Sequence, residues 1–217
     1  MLSPQTRPAE AGTELLGELH RLAEQMGHPD GLTALGSLAL SPEFAAAHDP
    51  VAFRKFLETY CSQVLVPHEL PAIHAAYLHA SRHEVRELIA SDLRLGREPG
   101  LQRFASVSRC LGTAQLHKLR PLRDSRVVRR YWEAVEKGEA HGWHTVVYGL
   151  ILALFSLPLR QGLLNYGEQV IQGFVDLGSA RFQLTAEQSG DLYARLCEPL
   201  PKAVERILSA HVFQLAS

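Results

Sequence analysis

The sequence predicts an all-α protein: a single compact helical domain of roughly ten helices around a buried central helix. Three observations carry this. Apolar residues recur at three- and four-residue intervals along most of the chain, and no stretch alternates with period two between hairpin turns. Proline, glycine and capping residues fall between the periodic segments. The stretch Trp143-His144-Thr145-Val146-Val147-Tyr148-Gly149, continued by Leu150-Ile151-Leu152-Ala153-Leu154-Phe155, is apolar on every side. A helix of that kind must be buried all round. It is shorter than the about 20 apolar residues that a bilayer requires, and Pro158 stops it.

Length and composition narrow the class. The chain has 217 residues, enough for one large domain. Its 22 Lys and Arg are interspersed with 23 Asp and Glu, for a formal charge of -1, so there is no electrostatic footprint for nucleic acid. Cys61, Cys110 and Cys197 are scattered and odd in number; no disulfide framework follows, and a reducing cytoplasm is the simpler setting. No basic segment followed by an apolar run opens the sequence, so no secretory signal is expected. Neither an internal repeat nor a low-complexity tract divides the chain.

Residues 1–12, with Pro4, Pro8 and Gly12, predict a flexible N-terminal arm, and residues 13–217 the helical domain. A helix begins near Thr13, with Leu15, Leu16, Leu19, Leu22 and Met26 on one face, and stops at Gly27. Pro29-Asp30-Gly31 is a turn. Residues 32–47 fit either short helices or an ordered loop. Asp49-Pro50 is an N-cap followed by proline at the first helical position, and the helix with Phe53, Phe56, Leu57, Tyr60, Val64 and Leu65 ends at Pro67. His68 to Ala80 forms the next. Ser81-Arg82-His83-Glu84 reads as a capping box that opens a helix to Leu95, closed by Gly96.

A long helix with small residues along its interior runs from Arg97-Glu98-Pro99-Gly100 to about Leu119. Gly112 costs about 1 kcal/mol there unless close packing repays it. Asp124 caps a shorter helix with Val127, Val128, Tyr131, Trp132 and Val135, closed by Gly138. The central helix follows, then a long one from Leu159 to about Leu184. Thr185-Ala186-Glu187-Gln188 is a second capping box. Pro199 and Pro201 joint the last two helices, and the chain ends Phe213-Gln214-Leu215-Ala216-Ser217.

Candidate chemistry is sparse. Among 11 histidines, His79 and His83 sit four apart and His141 and His144 three apart, so either pair could offer imidazoles to a metal. No third ligand lies at diagnostic spacing, and neither His-Glu-x-x-His nor Cys-x-x-Cys occurs, so surface histidines are the simpler reading and no metal site is assigned. A glycine-rich phosphate loop and a Gly-x-Ser-x-Gly elbow are absent, so no catalytic residue is assigned. The cysteines fall in apolar helical patterns, where cysteine is a small core residue. Arg97, Glu98 and Arg103 cluster at one helix start, as a surface ion-pair group or a partner contact. Arg181, late in an apolar helix, either complements the helix dipole or anchors a protein partner.

From Glu69 onward the residues resemble the urease accessory protein family UreF. Glu69-Leu70-Pro71 leads into a helix with Tyr77, as the family's Asp-Leu-Pro segment does. Arg97, Glu98, Arg103, Ser106 and Gly112 match its Arg-Glu pair, arginine, serine and glycine. His144-Thr145-Val146-Val147-Tyr148-Gly149 and the closing Ser156-Leu157-Pro158 match its His-containing Val-Tyr-Gly segment and Gly-Leu-Pro. Ser179-Ala180-Arg181-Phe182 matches its Ser-Ala-x-Arg/Lys-Leu element with one residue fewer. The resemblance covers about two-thirds of the chain. Two departures stand out. The N-terminal glycine-rich signature is reduced to Pro29-Asp30-Gly31 and Gly36-Ser37-Leu38, and the arginine-bearing tail to Phe213 and Leu215. The family's Leu-Gly-Gln after the basic residue is altered to Thr185-Ala186-Glu187.

The resemblance implies an all-α, non-enzymatic scaffold with no cofactor of its own, through whose complexes nickel passes. Implied partners are a UreD/UreH-type accessory protein, a UreG-type GTPase, the urease apoprotein and a second copy of the chain. Partner contacts are expected at Arg97, Glu98, Arg103, Arg181 and Phe213, and packing or dimer contacts at Gly112, Tyr148 and Gly149. Two other readings stand beside it: a helical ligand binder or enzyme with a pocket at His144 or Tyr148, and a histidine-based metal-binding protein.

Overall fold

The structure, a computed structural model, describes residues 47–122 and 125–215, with side chains to residue 210. The expected N-terminal arm, the helix from Thr13, the turn at Pro29 and the cap at Asp124 lie outside the described residues. Those described are helical throughout, without a strand, in one domain.

Helix α1 spans Pro50–Tyr60. The Asp49 carboxylate accepts the N–H groups of Val51 and Ala52, both at 2.8 Å, and Pro50 occupies the first turn, where no N–H is needed. Proline at position 67 was expected to end this rod and does not. Cys61–Glu69 form a π-helical stretch with Pro67 inside it, and α2 (Leu70–Ser81) continues directly. The wider i→i+5 turn, shown by the Leu70 N–H reaching the Leu65 carbonyl, absorbs the missing donor and the bulk of the ring.

The capping box expected at Ser81 is also absent. The Ser81 hydroxyl donates back to the Tyr77 carbonyl at 2.8 Å, and Glu84 pairs with His79 Nδ1 at 2.8 Å. His83 takes the turn with φ 58°, so it does not share a helix face with His79. Helix α3 (Val85–Leu95) ends at Gly96 as expected. The next rod opens with a 3₁₀ stretch, Pro99–Phe104, before α4 (Ala105–Lys118). Helix α5 (Arg126–Glu136) closes at Gly138, whose φ of 73° suits glycine.

The central helix α6 spans His144–Leu154, with every residue from His144 to Leu152 buried. It ends four residues before Pro158, where Ser156 adopts φ 51°. Pro158 instead caps α7 (Leu159–Phe182). The capping box at Thr185 is present: its side chain accepts the Gln188 N–H, and the Gln188 side chain accepts the Thr185 N–H. It starts α8 (Ala186–Cys197), which Glu198-Pro199 joins to α9 (Leu200–Leu215). Because α1, the π stretch and α2 form one rod and α8 runs on to α9, about ten helices are not reached. Seven rods form among the described residues.

Two of the three cysteines, Cys61 and Cys197, pack against the core. Cys110 is exposed, and Cys61 and Cys197 are half-buried. Burial nevertheless pushes the Cys61 thiol up to about 12 and that of Cys197 to about 11, so neither is a ready nucleophile.

Candidate functional site

The central helix is fixed from three sides. Gly149 lets its backbone meet α2: a Cβ there would lie 2.5 Å from the Ile73 carbonyl oxygen and 2.8 Å from the Ala76 Cβ. Asp92 on α3 is fully buried and organises the turn that leads into α6. Its carboxylate accepts the Trp143 N–H at 2.9 Å, the Gly142 N–H at 3.3 Å, the His141 N–H and the Tyr131 hydroxyl at 3.0 Å. Four donors on one buried carboxylate offset its desolvation. Helix α4 supplies the third side. Ser108 Oγ accepts the His144 N–H at 3.2 Å, and the Gln115 side-chain oxygen lies 3.0 Å from His144 Nδ1.

Gly112 completes that side. A Cβ there would collide with the Gly142 carbonyl and lie 2.8 Å from the His144 nitrogen. Of the packing or dimer contact expected at Gly112, the structure shows packing: the chain's own turn, which Asp92 holds, lies against it. Tyr148 is buried as well, donating to the Gly162 carbonyl at 3.2 Å.

A second buried carboxylate lies beyond the π stretch. Glu69 Oε2 accepts the hydroxyls of Tyr60 at 2.7 Å and Tyr166 at 3.2 Å. Burial raises its carboxyl to about 7, against the lowering effect of the two tyrosines. Nearby, burial lowers His144 to about 4, so its imidazole is neutral at pH 7. The cavity between Glu69, Trp143, His144 and Tyr166 measures ≈ 10 Å³, room for about one water. That cavity beside His144 is too small for a ligand of drug-like size.

The histidine pairs do not gather ligands either. His79 faces Glu84, and His144 faces Gln115 inside the core. Among the described residues no group of three or more His, Cys, Asp or Glu is placed to hold a metal ion.

The surface candidates fall in two places. Arg97, Glu98 and Arg103 lie around the 3₁₀ stretch; Glu98 and Arg103 each line a groove, and Arg97 lines neither. One groove, ≈ 250 Å³, is lined by Glu98, Arg94, Pro67, His68 and Pro71. The other, also ≈ 250 Å³, is lined by Arg103, Phe56, Lys55 and Phe104. Arg103 lays its guanidinium 4.9 Å from the Phe104 ring centre. Arg181 lies elsewhere, at the end of α7. It is exposed, donates to the Ala47 carbonyl at 3.2 Å and sits 5.2 Å from the Phe182 ring centre. Phe213 lies in α9, its side chain outside the described residues.

A family model described as UreF matches residues 47–176, well over half of the chain. The chain belongs to the UreF family. UreF proteins are urease accessory proteins, not enzymes, and interact with other urease accessory proteins. No curated protein matches the chain significantly. The UreF match includes Glu69, Arg97, Glu98, Arg103, Gly112, Tyr148 and Gly149 and stops before Arg181 and Phe213. Among the described residues no helix is long and apolar enough to cross a membrane.

Reasoning from sequence missed Asp92 and the buried role of Glu69. Both carried a signal. Asp92 continues the stripe Val85, Leu88 on α3, and Glu69 continues Leu65 toward Ile73 and Ala76, so each puts a charge at a core position.

Proposed function

We propose that this chain is a non-enzymatic scaffold for nickel insertion into urease, acting in the cytoplasm as a homodimer. It binds a UreD/UreH-type accessory protein and a UreG-type GTPase, and their joint complex meets the urease apoprotein. Nickel passes through that complex, and the chain itself needs no cofactor. The observation that carries this reading is the UreF match over residues 47–176.

The buried polar groups fit a scaffold. Asp92 and Glu69 hold helices together, and the cavity beside Glu69 has room for about one water. Glu98 and Arg103 each line an open groove of a size to take side chains of a partner. Arg181 offers an exposed guanidinium at the end of a rigid rod, the residue type enriched at interface hot spots. Copurification of the chain with its cognate UreD/UreH-type and UreG-type proteins, followed by urease activation in a strain lacking this chain, tests the reading. A complex without the GTPase, or urease that matures equally well without the chain, would contradict it.

A further inference from the structure

Two buried side chains on the wall of the small cavity beside α6 each keep one polar atom that the chain's own hydrogen bonds do not use. On Glu69 both tyrosine hydroxyls donate to the same oxygen, Oε2, from Tyr60 at 2.7 Å and from Tyr166 at 3.2 Å. With Oε2 filled as an acceptor, the proton of the neutral carboxyl sits on Oε1, which becomes a donor. On His144 the amide oxygen of Gln115 lies 3.0 Å from Nδ1. An amide oxygen only accepts, so Nδ1 carries the ring proton and Nε2 keeps a lone pair. Among the described residues neither Glu69 Oε1 nor His144 Nε2 has a hydrogen-bond partner. Burial raises the Glu69 carboxyl to about 7 and lowers His144 to about 4, so between those values both groups are neutral. A buried donor and a buried acceptor left unmade are costly.

We propose that one water occupies this cavity, accepting from Glu69 Oε1–H and donating to His144 Nε2. The cavity measures ≈ 10 Å³, which admits about one water and nothing larger. Its neutral walls offer no counter-charge to an ion. Ser108 and Thr145 also line it, and their hydroxyls offer acceptors for the second hydrogen of the water. Trp143 is a further wall residue, and its Nε1 is buried with no hydrogen-bond partner among the described residues. The water completes a chain in which every donor points the same way. Tyr60 and Tyr166 donate to Glu69, Glu69 to the water, the water to His144, and His144 to Gln115. Hydrogen bonds aligned in this way polarise and strengthen one another. The chain crosses α1, the π stretch, α7, α6 and α4, so it fixes the end of the π stretch against the start of the central helix. This inference stands without the urease reading.

The test uses the full chain. A crystal structure that orders single waters should place one within hydrogen-bond distance of both Glu69 Oε1 and His144 Nε2. Long-range proton–nitrogen correlation NMR of the isotope-labelled chain, at a pH between the His144 and Glu69 values, should show His144 protonated on Nδ1 and hydrogen-bonded at Nε2. Glu69→Gln keeps an acceptor for the tyrosines and a donor for the water, so it should preserve both results. Glu69→Met removes the donor, and the His144 Nε2 resonance should move downfield, toward that of an unbonded ring nitrogen. Should the methionine variant not fold, the tautomer in the parent and the water in the Glu69→Gln structure decide the matter. His144 protonated on Nε2 in the parent would overturn the proposal. So would a dry cavity, a direct contact between the Glu69 carboxyl and the ring, or an Nε2 resonance that a folded Glu69→Met chain leaves unmoved.

Discussion

The Asp92 carboxylate accepts the backbone N–H of Trp143 at 2.9 Å, across 51 positions of sequence. With the N–H groups of His141 and Gly142 on the same carboxylate, α3 sets where the central helix begins.

Removing Asp92 should therefore unpin the core. Asp92→Ala leaves several buried donors without a partner, each costing about 1–3 kcal/mol. A loss of about 3 kcal/mol or more in urea unfolding is expected, with Asp92→Asn intermediate because its one carbonyl oxygen replaces two acceptors. A change below about 1 kcal/mol for Asp92→Ala would contradict the assigned role.

The close crossing of α6 and α2 depends on Gly149. A Cβ there meets the Ile73 carbonyl and Ala76 at 2.5 and 2.8 Å, mostly rigid neighbours. Gly149→Ala should destabilise by about 1–3 kcal/mol through overpacking, despite alanine's better helix propensity. Thermal unfolding checks this: a chain of this size loses about 2–4 °C per kcal/mol. An unchanged or raised melting temperature would show that the helices can separate freely.

Much of this architecture was legible in the sequence. Asp49-Pro50, Gly96, Gly138 and the Thr185 box act locally, and each forms as its residue types predict. The burial of α6 also followed from its apolar circumference. Pro67 misled because the rule that proline ends a helix assumes α-helical hydrogen bonding, and the π stretch escapes it. Ser81 misled because its hydroxyl bonds backward to Tyr77 instead of forward. Tyr166 lies 97 positions from Glu69, and no local pattern announces that contact. The candidate contacts fared differently. Sequence marked Glu98 and Arg103, which each line a groove, and Gly112, which packs against its own chain.

Glu69 and His144 should give opposing pH dependences. The folded Glu69 pKa is raised from 4.5 to about 7, so the native state holds the proton that the unfolded state releases. Its stability contribution is fully present below pH 4.5 and is lost as pH rises through 7, by about 3 kcal/mol. The folded His144 pKa is lowered from 6.5 to about 4. Its contribution is present above pH 6.5 and is lost as pH falls through 4. Between pH 4.5 and 6.5 the two slopes oppose one another in the parent chain. Glu69→Gln should unmask a stability that rises with pH over that interval, measured by urea unfolding at several pH values. Parallel pH profiles for variant and parent would exclude a raised Glu69 pKa.

Arg181 separates support from recognition. Its hydrogen bond to the Ala47 carbonyl is partly exposed, so Arg181→Ala should change stability by about 1 kcal/mol or less. As a partner anchor it should weaken the complex with the UreG-type GTPase by about 2 kcal/mol or more, read by calorimetry. A destabilised chain that still forms the complex normally would reduce Arg181 to a structural role.

The central claim, that this UreF-family chain serves urease maturation, is tested most directly by restoring urease. Cognate urease, UreD/UreH-type and UreG-type proteins are produced together in a strain lacking this chain, with and without its gene on a plasmid, in nickel-containing medium. The account predicts urease activity and urease-bound nickel only when the chain is supplied, together with its recovery in a complex with both accessory proteins. A folded chain that joins neither protein and leaves urease activity unchanged would contradict it.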